Sequence, residues 1–271
     1  MSGFKAPAKK QLGQHFLVDG RVISDIVLAV DPKPGERLVE IGPGQGAITF
    51  PLLRRHGALT VVEFDRDLIT PLSEAAHGQG ELTIVHKDVL QVDFGKMAGE
   101  GQLRLVGNLP YNISTPILFH VLEHAAAIRD MHFMLQKEVV DRMGAAPGSK
   151  VYGRLSVMLQ AVCRVEPLFD VPPAAFRPPP KVDSSVVRLL PRPANDVGIV
   201  DPALFETVVR EAFGQRRKTL RNALQRVCDA DAISASGLRP DLRAEQVSVA
   251  EFINLSNALS AAAASGDISV K

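Results

Sequence analysis

From residue 36 to 137 short apolar runs alternate with longer stretches patterned like amphipathic helices. Arg37-Leu-Val-Glu-Ile41 reads as a strand stopped by a Gly-Pro-Gly turn, and residues 47–56 as a helix whose start Pro51 confines. Leu59–Glu63, rich in β-branched residues, is a second strand; 66–77 is a helix and Leu82–His86 a third strand. Leu103–Gly107 is the fourth strand, 116–127 is helical, and Met131–Leu135 is the fifth strand. Apolar strands joined by helix-length crossovers pair in parallel with helices on both faces, so the expected fold class is α/β, with a doubly wound sheet. Residues 139–163 look helical apart from a break at 145–148, while 164–171 and 182–190 are strands that could close the sheet with an antiparallel hairpin. A linker rich in Pro, Asn, Asp and Gly occupies 191–202, and 203–264 carries Leu, Val and Phe at helical spacing. Two domains are expected, 1–192 and a small all-helical one at 200–271.

Composition changes this picture little, since 46% hydrophobic and 23% charged residues are ordinary for a folded protein. Cys163 and Cys228 form no CxxC pair, which argues against a disulfide framework or a Cys-rich zinc site; no metal is expected. No run is long enough to span a bilayer, and no apolar stretch follows Lys5, Lys9 and Lys10, so the expectation is a cytoplasmic protein without a membrane partner.

Charge says more through its distribution than through its net value of +1. Residues 147–192 hold seven Lys or Arg against three acids, and Phe213–Leu224 holds four basic residues and no acid. Local basic stripes on a near-neutral chain are a footprint for a polyanion; solvated helix faces are the alternative for any one cluster.

Asn108-Leu109-Pro110-Tyr111 follows the fourth strand. An Asn side-chain oxygen and the next carbonyl can both accept from an exocyclic amine, Pro stiffens the turn, and a Tyr ring can stack on a base. A plain strand-ending turn has the same composition. Gly42-Pro43-Gly44-Gln45-Gly46 follows the first strand, where glycine lets backbone approach a ligand. Glu63 ends the second strand and is placed to accept from a ribose diol; Asp88, just past the third, could accept from an adenine amine. Either acid alone is equally a solvating strand end. Ala47 stands where a dinucleotide fingerprint has glycine, so the loop suits S-adenosylmethionine, which carries no phosphate, better than NAD.

The chain closely resembles the small-subunit (16S) rRNA dimethyladenosine transferases. The resemblance runs through KQLGQHFL (10–17), VEIGPGQGAIT (39–49), NLPYNISTPI (108–117), MHFMLQKEV (131–139), YGRLSV (152–157) and FRPPPKVDSSVVRL (176–189). It implies a Rossmann-like methyltransferase sheet with a helical RNA- or ribosome-binding domain. It further implies S-adenosylmethionine contacts at His15, Leu17, Gly42, Gly44, Glu63, Asp88 and Asn108. Position 15, often Asn in that family, is His here. The catalytic set implied is Asn108, Leu109, Pro110, Tyr111 and Phe176. On its proline-stiffened loop Phe176 can stack on an extruded adenine opposite Tyr111, or can anchor the loop in the core. Lys181, Arg216, Arg217, Lys218 and Arg221 are the RNA-binding candidates.

The implied activity is dimethylation of adenine N6 at two adjacent adenosines near the 3′ end of 16S rRNA, within the immature 30S subunit, by a monomer. Three other readings are an adenine-N6 methyltransferase of large-subunit rRNA, an assembly factor whose catalysis is secondary, and an NAD-dependent oxidoreductase.

Overall fold

The structure, a computed structural model, describes residues 7–9, 13–215 and 217–265. It divides into two compact units: one runs up to Val140 and resumes over Val165–Pro191, and the other joins Asp141–Arg164 to the chain from Arg192 onward.

The first unit is built on strands β1 (Phe16–Leu17), β2 (Arg37–Ile41), β3 (Ala58–Glu63), β4 (Glu81–His86), β5 (Leu103–Asn108), β6 (Ile128–Gln136), β7 (Cys163–Val171), β8 (Phe176–Arg177) and β9 (Ser184–Pro191). Among the described residues, seven of these form one sheet in the order β4-β3-β2-β5-β6-β9-β7. The pairs β4·β3, β3·β2, β2·β5 and β5·β6 are parallel, and β9 runs antiparallel to β6. The expected parallel sheet with an antiparallel closure is therefore present. Its central strands read as nearly unbroken apolar runs because both faces are covered: four of five β2 residues are buried, as are the first five of β5.

Helices α1 (Gly20–Val30), α2 (Thr49–His56), α3 (Arg66–Ala75), α4 (Phe94–Ala98) and α5 (Ser114–Leu122) supply the covering layers. Asp19 starts α1 by accepting from the amides of Arg21 and Val22, and Ile26, Val27 and Val30 bury its apolar face beside Leu52, Leu53, Leu38 and Val61. At the N-terminal edge of the sheet, Arg104 on β5 meets its register partner Asp130 on β6 through two N–H···O bonds of 2.8 Å. A third bond of 2.6 Å to Glu36 compensates the burial of this guanidinium.

Two features of this unit are not among the elements expected from the sequence. Helix α1 is one. The other is a separate two-stranded sheet in which β1 pairs antiparallel with β8, Phe16 opposite Arg177 and Leu17 opposite Phe176.

In the second unit, α6 (Lys137–Met143) leads in from the sheet unit, and α7 (Arg154–Val162), α8 (Ala194–Val197), α9 (Pro202–Gly214), α10 (Leu220–Ala223), α11 (Ala230–Ala235) and α12 (Val249–Ser265) follow. Phe205, Val208, Leu220, Leu224, Phe252 and Leu255 are the heart of its core. The helical unit resumes at Arg192, near the expected boundary, but it also takes a stretch expected in the first domain. Tyr152, Val157 and Ala161 are buried in this same helical core, and the Tyr152 hydroxyl donates to the Val247 carbonyl at 2.9 Å. Residues 141–164 thus group with the helical unit, because their apolar side chains find cover there. No helix among the described residues is long and apolar enough to cross a membrane.

Candidate active site

Because β2, β3, β4 and β5 are parallel neighbours, the residues that end them converge on one sheet edge. A cavity of about 260 Å³ opens there, lined among others by His15, Leu17, Gly42, Gly44, Glu63, Asp88, Asn108, Leu109, Pro110 and Tyr111. Ten positions singled out from the sequence are thus brought together around one space.

Gly42 and Gly44 take φ of +68° and +55°, a region that side chains disfavour. A Cβ on Gly42 would meet only the Asn108 carbonyl oxygen, at 3.9 Å, so the loop passes close to the end of β5. Glu63, 6% exposed, holds the loop in place: its carboxylate accepts from the Gly44 amide at 3.2 Å and from the Asp65 amide at 2.7 Å. Burial pushes the Glu63 carboxyl above its usual range, against the pull of those two amide donors. Asp88 spends one oxygen capping the short turn that follows, by accepting from the Leu90 amide at 3.0 Å. Its other oxygen has no hydrogen-bond partner among the described residues.

The orientation of Asn108 is set by a backbone group. Its Nδ2 donates to the His15 carbonyl at 3.1 Å, and a carbonyl can only accept, so the amide nitrogen must face it and Oδ1 must face away. Leu109, 1% exposed, buries its side chain, and its amide donates to the Met134 carbonyl at 3.1 Å. The Tyr111 hydroxyl shares a 2.5 Å hydrogen bond with Ser184, and its ring stacks on the His15 imidazole with centroids 5.6 Å apart. His15 Nδ1 in turn lies 2.8 Å from the Pro178 carbonyl, which makes Nδ1 the protonated nitrogen. The contact that Asn108 receives from position 15 is thus main-chain, which explains how His can stand there.

The family model for ribosomal RNA adenine dimethylase matches residues 5–261. The chain belongs to the ribosomal RNA adenine dimethylase family. It is 70% identical over 256 residues to the ribosomal RNA small subunit methyltransferase A of Xanthomonas campestris pv. campestris strain B100, covering 94% of this chain and 98% of that protein. The protein of the same name from Xanthomonas euvesicatoria pv. vesicatoria is 69% identical, over the same shares of each chain. Among solved structures, a dimethyladenosine transferase from Plasmodium falciparum shares the fold with a TM-score of 0.76 at 24% identity, covering 89% of this chain and 96% of that one. The 23S rRNA methyltransferase ErmE gives 0.67 at 25% identity, covering 90% and 99%.

Within this family member one expected residue stays out of the cavity. Phe176 is fully buried among Leu17, Met134, Val171, Ala175 and Val186, so its ring offers no face to a base. Of its two readings, the structure supports the anchor: pairing with Leu17 pulls the ring inward, and truncating a buried Phe to Ala costs about 3–5 kcal/mol. Lys181 is exposed in the sheet unit; Arg217, Lys218 and Arg221 are exposed in the helical unit, on the segment after α9. Arg216 lies outside the described residues.

Other lining residues were missed from the sequence. Glu40, mid-strand in β2 and 1% exposed, accepts from the Thr49 hydroxyl at 2.6 Å, and burial pushes its carboxyl up to about 8. A lone acid inside an apolar strand was the available signal. Phe64 lines the cavity yet is 60% exposed, and its place directly after Glu63 could have flagged it. Asp65 joins the N-terminal segment to the site by accepting from Lys9 Nζ at 2.6 Å and Gln14 Nε2 at 3.1 Å. Burial would raise the Asp65 carboxyl, but those donors outweigh it and hold it below the usual range.

Proposed function

We propose that this protein dimethylates N6 of two adjacent adenosines near the 3′ end of 16S rRNA, using S-adenosylmethionine, on the immature 30S particle in the cytoplasm. The observation that carries the reading is the Asn108 amide, whose nitrogen is occupied by the His15 carbonyl so that Oδ1 remains as an acceptor on a residue that lines the cavity together with the glycine loop.

The cavity fits the methyl donor by two features: backbone at Gly42 that no side chain obstructs, and a buried carboxylate at Glu63. Glu63 is assigned the ribose diol, Asp88 the adenine amine, and Gly42, Gly44, His15 and Leu17 the remaining contacts. When bound, the donor presents an electrophilic methyl on a sulfonium.

Adenine N6 is a poor nucleophile because its lone pair is delocalised into the ring. Asn108 Oδ1 and the Leu109 carbonyl, accepting from the two N6–H groups, favour a pyramidal nitrogen and stabilise the positive charge that develops on it. No strong base is required, since the methylated amine cation is acidic and loses its proton to water. Pro110 stiffens the turn. Tyr111, braced by Ser184 and the His15 ring, supplies the stacking surface that Phe176 cannot. Most of the acceleration then comes from alignment. The helical unit, through Arg217, Lys218 and Arg221, and the sheet unit, through Lys181, are assigned the phosphate backbone.

The test is transfer of labelled methyl groups to unmethylated 30S particles, naked 16S rRNA and 50S particles, followed by mass mapping of the modified fragment. Dimethyladenosine pairs confined to the small subunit are expected, and methylation of 50S RNA alone would refute the assignment. Asn108→Ala should lower turnover by about 10²–10³ with RNA binding retained. Near-normal turnover would remove Asn108 from its role.

A further inference from the structure

Helix α5 begins just after the Asn108–Tyr111 turn and ends at Leu122, about 13 Å farther along at 1.5 Å per residue. At that far end the chain reads His120-Val-Leu-Glu123-His124, and none of these residues lines the cavity described above. His120 and His124, four positions apart, fall on one side of the turn, with ring centroids 5.2 Å apart. One ligand-capable atom from each of His120, Glu123 and His124 lies within 4.8 Å of the others.

The tautomer of His120 is already the one that metal binding requires. Its Nε2 lies 2.8 Å from the Val92 carbonyl, which can only accept, so Nε2 carries the proton. Nδ1 is left with its lone pair and points toward Glu123, whose Oε2 is 3.7 Å away. A backbone carbonyl that fixes the far nitrogen of an imidazole is the usual support of a metal-binding histidine. Atoms coordinating one tetrahedral zinc ion at about 2.1 Å are separated by about 3.4 Å, so closing the set asks for small side-chain rotations. The Glu123 side chain is 72% exposed and free to make them, while His120 and His124 are 17% and 22% exposed and already held. The Asp93 carboxylate lies 4.0 Å from His124 Nδ1, with its other oxygen paired to Lys96 at 3.2 Å.

We propose that His120, Glu123 and His124 form a binding site for a divalent transition-metal ion of the zinc type, with water completing the coordination. Two neutral imidazoles and one carboxylate suit zinc, nickel or copper rather than magnesium or calcium. Placed a helix length from the adenine clamp, the ion would fasten the C-terminal end of α5 and take no part in methyl transfer.

The experiment uses full-length untagged protein stripped of metal, titrated with Zn²⁺ by calorimetry and with Co²⁺ by visible absorption. One ion per chain is expected, with the absorption of a tetrahedral nitrogen–oxygen site and a rise in melting temperature on adding Zn²⁺. Glu123→Gln, at an exposed position that leaves the fold intact, and His124→Ala should each weaken uptake about tenfold or more and abolish the thermal shift. Circular dichroism confirms that the variants are folded. Failure of the wild-type protein to take up one ion overturns the site. So does uptake that both variants leave unchanged, which would place the ion on other histidines.

Discussion

The substitution Glu40→Gln should reveal a carboxylic acid that is kept neutral inside β2. Glu40 is 1% exposed and accepts a 2.6 Å hydrogen bond from Thr49, and the charge of nearby Glu63 adds to the effect of burial. Its carboxyl rises from 4.5 to about 8, so the folded protein binds this proton more tightly than the unfolded chain does. The linked stability is fully present below pH 4.5 and is lost as pH climbs to about 8. At about 1.4 kcal/mol per pH unit, the loss is on the order of 5 kcal/mol. The substituted amide would still accept from Thr49 but cannot ionise. The variant should therefore gain on the wild type steadily between pH 5 and 8, after which the gap is constant. Urea midpoints of both proteins, followed by circular dichroism across that range, measure the gap. A gap independent of pH would refute the reasoning, as would a Glu40 carboxyl carbon resonance that titrates in the ordinary carboxylate range.

Gly107→Ala places a Cβ 2.5 Å from the Ile41 carbonyl oxygen, backbone that cannot rotate away. It should cost about 1–3 kcal/mol and also depress methyl transfer by shifting the neighbouring Asn108, with an unchanged melting temperature counting against it. Removing the charges of Arg217, Lys218 and Arg221 together should weaken rRNA binding. The salt dependence should fall by about 0.7–0.9 in log–log slope for each phosphate that is no longer neutralised, and an unchanged slope would return these residues to plain surface.

The parallel sheet was legible because strands buried on both faces leave continuous apolar runs, as in Leu103–Gly107 and Met131–Leu135. The convergence of Gly42, Glu63, Asp88 and Asn108 followed from their places at strand ends. Helix α1 was missed although its signals were there: Asp19 is a good cap, and Val22, Ile23, Ile26, Val27 and Val30 recur at helical spacing. Strands β1 and β8, two residues each, are too short to show any period. That gap explains why the direction of Phe176 stayed open, since it depends on a partner 159 positions away. The grouping of residues 141–164 was equally hidden, because a helical pattern marks which face is apolar but not which core will cover it.

The pairing of β1 with β8 also bears on how the site is completed during synthesis. The His15 carbonyl that turns Asn108 belongs to a segment whose partners, Phe176, Arg177 and Pro178, leave the ribosome some 160 residues later. Strands β2 to β6 can pair as they emerge, since each lies beside strands made shortly before or after it. The N-terminal segment must wait with its edge unpaired until most of the chain exists. The glycine loop and the asparagine turn are therefore in place before the residue that aims the asparagine, and the clamp is among the last parts of the molecule to close.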